Sequence, residues 1–196
     1  MHIFSGLYKG RKIQTPKGLD TRPTSGRLRE TLFNICQNDI EGAHFLDLFS
    51  GSGAMGLEAL SRGAASATFV DSSRESIQCI QKNIDLLGIK NKTKILHGDV
   101  FDMLYKLSKM GFSYHIIYVD PPYETMLEDS KNEILYSTQV LKIIDKTSPS
   151  LLKPNGLLFI EESTGVTLDP GDLQHLKLEN SRKTGRSSLH KIIYIK

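Results

Sequence analysis

Two stretches of this sequence carry residues whose types and spacing suit group-transfer chemistry. The first is Asp120-Pro121-Pro122-Tyr123. A carboxylate beside a proline carbonyl offers two acceptors, and proline brings no competing N–H. Such a pair can hold both hydrogens of an exocyclic amine on a planar base. That nitrogen is a poor nucleophile, because its lone pair is shared with the ring. Held by its hydrogens, it can aim the lone pair at an electrophilic methyl group. Tyr123 can stack on the base, a contact worth roughly 1–3 kcal/mol. In-line displacement at a methyl carbon draws much of its rate from positioning, so no metal is expected. A base inside a duplex would first have to be flipped out.

The second stretch is Gly51-Ser52-Gly53-Ala54-Met55-Gly56, a G-x-G-x-x-G pattern, with Asp71 20 residues after Gly51. Glycine permits a tight backbone turn and lets a ligand approach the main chain. Asp71 suits ribose hydroxyls, and charge-assisted bonds of that kind are each worth roughly 1.5–3 kcal/mol. Both NAD and S-adenosyl-L-methionine present an adenosine ribose. Asp47, in Asp47-Leu48-Phe49-Ser50-Gly51, bears on the choice. A carboxylate there suits the ammonium of S-adenosyl-L-methionine and sits badly against a pyrophosphate. Asp99 is placed to accept from the adenine amine. The expected cofactor-binding residues are Asp47, Phe49, Ser50, Gly51, Ser52, Gly53, Asp71, Asp99 and Val100. NAD stays open as the alternative: it explains the loop and Asp71 but leaves Asp47 and the tetrapeptide without a use.

These residues must be positioned by an alternating fold. Residues 43–48, 66–70, 93–97, 114–119 and 156–160 read as strands. Residues 55–62, 74–87 and 101–110 read as helices between them, and 134–148 contains another. The alternation predicts an α/β, Rossmann-like fold: a mostly parallel sheet with helices on both faces. Residues 176–178 and 189–195 read as a late strand pair, giving an antiparallel C-terminal edge. Asp47, Asp71, Asp99 and Asp120 all fall at or just after strand ends, the edge where such sheets bind ligands. Upstream, residues 9–13 read as a hairpin strand. Residues 27–37 read as a helix that Ser25 can cap. A short basic N-terminal extension, residues 1–38, thus precedes a catalytic domain, residues 39–196.

Composition limits the function classes. The chain has 196 residues, 39% hydrophobic and 24% charged, which excludes a wholly disordered or collagen-like chain. No apolar run approaches the roughly 18 residues that span a bilayer, and no signal-like segment opens the sequence, so a cytoplasmic protein without a membrane partner is expected. Cys36 and Cys79 are too few for a disulfide framework. Net charge is +3, yet residues 1–30 and 177–196 each carry +5 around an acidic middle. Basic ends on an acidic body point to a polyanion. Lys9, Arg11, Lys12, Arg22, Arg27 and Arg29 are the candidate phosphate contacts. A non-enzymatic RNA-binding protein would explain this charge but neither motif.

The motifs together resemble the RsmD family of class I S-adenosylmethionine-dependent methyltransferases, which act on guanine N2 in bacterial 16S rRNA. The resemblance runs through Gly10-Arg11-Lys12, Arg22-Pro23-Thr24-Ser25, Arg29-Glu30-Thr31-Leu32-Phe33-Asn34, residues 47–53, residues 56–64 and the tetrapeptide. It implies methyl transfer to one guanine (position 966 in the family's naming) in an assembling small-subunit particle. It also implies that Arg22 and Thr24 lie over the cofactor and help form the base pocket. An amine on another RNA or DNA base is the nearest rival substrate. Gly26 departs from the family, which usually has Asp there, and residues 183–188 follow its tail only loosely. With no apolar segment left over for an interface, a monomer is expected.

Overall fold

A computed structural model describes residues 1–16, 26–122, 126–129, 132–166 and 168–195. Its main sheet contains β1 (His44–Leu48), β2 (Ser66–Asp71), β3 (Thr93–His97), β4 (Tyr114–Val119), β7 (Leu152–Ser163), β8 (Leu176–Thr184) and β9 (Ser187–Tyr194). Their order across the sheet is β3-β2-β1-β4-β7-β9-β8. The first five are parallel; β9 runs antiparallel to both β7 and β8. The α/β reading and the antiparallel C-terminal edge are both borne out. A small hairpin, β5 (Met126–Asp129) with β6 (Asn132–Leu135), follows β4 and was not expected from the sequence.

The helices are α1 (Gly26–Ile35), α2 (Ala54–Ser61), α3 (Arg74–Leu87), α4 (Val100–Lys109) and α5 (Tyr136–Thr147). Side chains alternate across each strand, so the sheet feeds two cores. Phe45, Phe69, Ile116, Tyr118 and Phe159 face one core, shared with α1, α2 and α3. Leu46, Leu48, Val70, Ile117, Val119 and Leu158 face the other, shared with α4 and α5. Tyr114 and Tyr118 are packing residues, both buried.

Helix starts and stops follow local chemistry. Ser73 caps α3 by accepting from Ser76 N–H, and Gly88 closes it in the left-handed conformation. Asp99 caps α4 by accepting from the Phe101 and Asp102 N–H groups. The N-cap of α2, Gly53, has no side chain to do this. Asp47 does it from the neighbouring strand, accepting from Gly56 N–H at 2.9 Å.

The first thirteen residues fold back as a loop closed by a His2–Lys12 bridge. They are fastened to α2 and α3. Glu58 accepts from Phe4 N–H and Ser5 N–H at 2.8 and 3.0 Å. Ser61 accepts from Tyr8 N–H. Ile3 and Ile13 are buried in the first core. Gly6 lies so close to α2 that a Cβ would stand 1.7 Å from the Ser61 carbonyl oxygen, and its φ of +78° also requires glycine. Gly26 has its side-chain space taken by the Phe4 ring, 2.7 Å from where a Cβ would be.

Candidate active site

The strand order reverses between β1 and β4, which is where open α/β sheets bind ligands. Register sets the level of the site. Leu48 pairs with Val70 on one side and Val119 on the other. Phe49, Asp71 and Asp120 therefore leave the sheet side by side at its carboxyl edge. Asp120 is half-buried and Pro121 buried. Tyr123, Arg22 and Thr24 lie outside the described residues.

The glycine loop is held open by hydrogen bonds to its own backbone. Phe49, Gly51 and Gly53 have φ of 58°, 54° and 77°. Asp71 accepts from Gly51 N–H and Ser73 N–H, both at 2.8 Å. Ser50 is buried; its hydroxyl donates to the Asp47 carbonyl and accepts from Val70 N–H at 2.9 Å. The Ser52 carbonyl accepts from the Asn83 side chain at 3.0 Å. A Cβ on Gly53 would sit 3.2 Å from Phe69 and Ile80, and one on Gly56 would sit 2.4 Å from the Phe69 ring. Both glycines let α2 press against the sheet. Among the described residues, a Cβ on Gly51 would meet nothing within 4 Å. As far as those residues go, that face of the loop leaves room for a ligand to approach the backbone.

The carboxylates at this edge differ in surroundings. Burial pushes the Asp47 carboxyl up to about 8; its bond from Gly56 pulls back, and Asp71 adds a further push. A buried carboxyl held that high gains from a nearby cation. Asp99 is exposed, with one oxygen committed to capping α4, and Val100 beside it is buried. Phe49 meets Tyr136 edge-on at 6.4 Å, and Phe101 lies 5.3 Å from the same ring. This aromatic wall was not anticipated. Phe101 could have been found from its place just after Asp99. Tyr136 could not, because the sequence sets it inside a helix rather than at its start.

The basic candidates separate. Lys9, Arg11, Lys12 and Arg27 are exposed. Arg11 also donates to the Leu86 carbonyl at 3.0 Å. Arg29 is a correction: it is 1% exposed and cannot reach an RNA phosphate. Its guanidinium donates to the His2 carbonyl at 2.8 Å, lies 4.3 Å over the Phe4 ring and stands 3.9 Å from Glu58. Glu58 also binds Arg62 at 2.8 Å. This buried cluster fastens the N-terminal segment to the domain. Asn83 adds a second tie: it accepts from Gln14 N–H, donates to the Gln14 carbonyl and holds the Ser52 carbonyl. The N-terminal segment is thereby linked to the glycine loop through one side chain.

Similarity to known proteins covers nearly the whole chain. The model of the family described as Conserved hypothetical protein 95 matches residues 1–193. The Ribosomal RNA small subunit methyltransferase D of Buchnera aphidicola subsp. Baizongia pistaciae is 34% identical over 193 residues, covering 97% of this chain and 91% of that protein. The protein of the same name from Escherichia coli strain K12 is 39% identical over 133 residues, 67% of this chain and 65% of that protein. The solved structure named "Putative methyltransferase yhhF from Escherichia coli" is 29% identical, with a TM-score of 0.79, over 99% of this chain and 97% of that one. The fold is thus that of the class I methyltransferases. A glycine loop and an Asp-Pro-Pro turn at one switch point, in a chain matched end to end, leave one assignment: it belongs to the RsmD family and is a methyltransferase.

Proposed function

We propose that the protein transfers a methyl group from S-adenosyl-L-methionine to the exocyclic N2 of a guanine in small-subunit rRNA. The observation that carries this reading is the placement of Asp120 and Pro121 level with the glycine loop, across the β1–β4 switch point. The cofactor supplies an electrophilic methyl on a sulfonium. The open face at Gly51, the high-pKa Asp47 carboxyl and the exposed Asp99 fit its backbone-facing, ammonium and adenine ends.

The chain's own residues then divide the work. Asp120 and the Pro121 carbonyl accept from the two amine hydrogens and fix the direction of the lone pair. With the cofactor bound, the amine held this way would face its sulfonium methyl, and the Asp120 carboxylate, already accepting from one amine hydrogen, would take the proton that the nitrogen gives up. Tyr123 stacks on the base, and Arg22 and Thr24 complete the pocket from above. Lys9, Arg11, Lys12 and Arg27 contact RNA phosphates, each neutralised phosphate steepening the salt dependence of binding by about 0.7–0.9 in log–log slope. The similarity to proteins named as small-subunit rRNA methyltransferases favours 16S rRNA in an assembling particle as the substrate. We further propose a cytoplasmic location, where an rRNA substrate is met, and a monomeric state; as a separate fact, among the described residues no helix is long and apolar enough to cross a membrane.

The test is labelled-methyl transfer to small-subunit particles from cells lacking this activity, followed by nucleoside analysis. N2-methylguanosine in 16S rRNA is the expected product. Label in another nucleoside would keep the reaction and overturn the substrate.

Asp47 gives the reading a pH signature. Free Asp47, with its carboxyl near 8, is mostly protonated at roughly pH 6. Pairing with an ammonium needs the carboxylate, so binding expels a proton. Affinity for S-adenosyl-L-methionine should therefore rise with pH, by up to about tenfold per unit between roughly 6 and 8. It should level off above about 8, where the ligand's α-ammonium starts to deprotonate. Calorimetry in buffers of different ionisation enthalpy reads the released proton directly. A pH-independent Kd would remove the ammonium from Asp47.

A further inference from the structure

The amino ends of the strands, at the edge opposite the glycine loop, line a half-open cavity of about 420 Å³. That size falls in the range of small-ligand sites. The starts of β1, β2, β3 and β4 all reach it, through His44, Ser66, Thr93 and Tyr114. A five-residue strand rising about 3.3 Å per residue puts it roughly 17 Å from the carboxyl edge. Lys92, Lys94 and Lys153 line it, and no carboxylate is among its lining residues. None of the three lysines belongs to an ion pair among the described residues. Lys94 stands 3.8 Å over the Phe112 ring, which leaves its charge in place.

The donor geometry is the telling feature. The His44 backbone N–H donates to Nδ1 of His115 at 2.9 Å. A neutral His115 then carries its proton on Nε2. Lys153 Nζ lies 3.2 Å from that same Nε2. An ammonium has only donors, so among the described residues two N–H groups face one another with no acceptor of this chain between them. Burial, Lys153 and His44 all lower the His115 pKa, which keeps the ring neutral and the conflict in place. An oxyanion beside both groups would accept from each. His44 Nδ1, bonded to the Ser66 hydroxyl at 2.8 Å, and the lysines around the rim extend the same polarity.

We propose that this cavity is a phosphate-binding site. The same chemistry fits an RNA backbone phosphate or a free phosphate ester, and the experiment separates them. Histidine side-chain resonances are followed by NMR in the full-length protein while inorganic phosphate replaces chloride at constant ionic strength. Saturable shifts of His115 and His44 are expected, with binding weakened about tenfold or more in Lys153→Met. The exposed Lys92→Ala gives a second variant that folding cannot confound, with a smaller weakening in the same direction. Absence of a saturable shift, or equal shifts in wild type and both variants, would overturn the site. A 20-nucleotide oligouridylate forms the second arm. If it shifts the same resonances and phosphate displaces it, the source is RNA backbone; if phosphate alone acts, the source is a small phosphate compound. The readout does not depend on methyl transfer, so its failure and that of the proposed function are told apart.

Discussion

Replacing Asp120 by Ala is expected to lower kcat for methyl transfer by about 10²–10⁴-fold while leaving S-adenosyl-L-methionine affinity within a few-fold. The reasoning lies in the amine. Without the carboxylate, one hydrogen loses its acceptor, and the lone pair returns to conjugation with the ring and drifts off line. The sheet pairing does not pass through Asp120: β4 ends at Val119, which pairs with Leu48 and Ile160. Asp120→Asn keeps one acceptor oxygen at the same place and should recover part of the loss. Single-turnover kinetics with saturating cofactor separate this from a binding defect. Equal rates for wild type and Asp120→Ala would end the amine-orienting role. A cofactor Kd that collapses along with kcat would place Asp120 in the wrong half of the site.

The largest expected stability effect is at Glu58. Glu58 is fully buried in the middle of α2, itself buried on all sides. Its carboxylate answers two backbone N–H groups of the N-terminal segment and lies between Arg29 and Arg62. Glu58→Ala strands the Arg29 guanidinium, 1% exposed, beside an empty space. Removing one partner of a buried ion pair costs about 3–5 kcal/mol. For a domain of this size each kcal/mol is worth about 2–4 °C, so Tm should fall by roughly 6–20 °C. Glu58→Gln keeps volume and one acceptor and should fall between. Circular dichroism melts at low protein concentration would show it. An unchanged Tm would mean that the N-terminal segment contributes nothing to holding α2.

The sheet was legible because its strands are short apolar runs bounded by glycines and aspartates. The boundaries of β2, α3, β3 and β4 follow directly from that punctuation. The strand-end aspartates were legible as positions, but not as states. Nothing in Asp47-Leu48-Phe49 says that the carboxylate turns toward α2 to serve a glycine N-cap. Arg29 shows the opposite failure. Its place in a basic run suggested a phosphate contact, while its partner Glu58 lies 29 residues on, across a helix–helix contact that no local pattern encodes. The β5–β6 hairpin was missed because Met126-Leu127-Glu128-Asp129 has neither alternation nor β-branched residues. The start of β7 was missed because Pro154 and Asn155 read as a loop; the strand passes through them with Asn155 at φ 62°.

The placing of β9 between β7 and β8 bears on how the molecule assembles itself. Among the described strands β8 pairs with β9 alone, and the two are joined by a two-residue turn with Gly185 at φ 66°. Such a hairpin forms locally in microseconds, whereas parallel pairing across long crossovers is slow. Until it docks, β7 presents Leu157-Leu158-Phe159-Ile160 along an unpaired edge, and an apolar open edge is a template for other chains. The hairpin is thus a stopper for that edge, and β8 meets solvent with Lys177, Glu179, Arg182 and Lys183. A lesion in the Gly185 turn would accordingly announce itself as insoluble protein during synthesis, well before any change in the chemistry at the far side of the sheet.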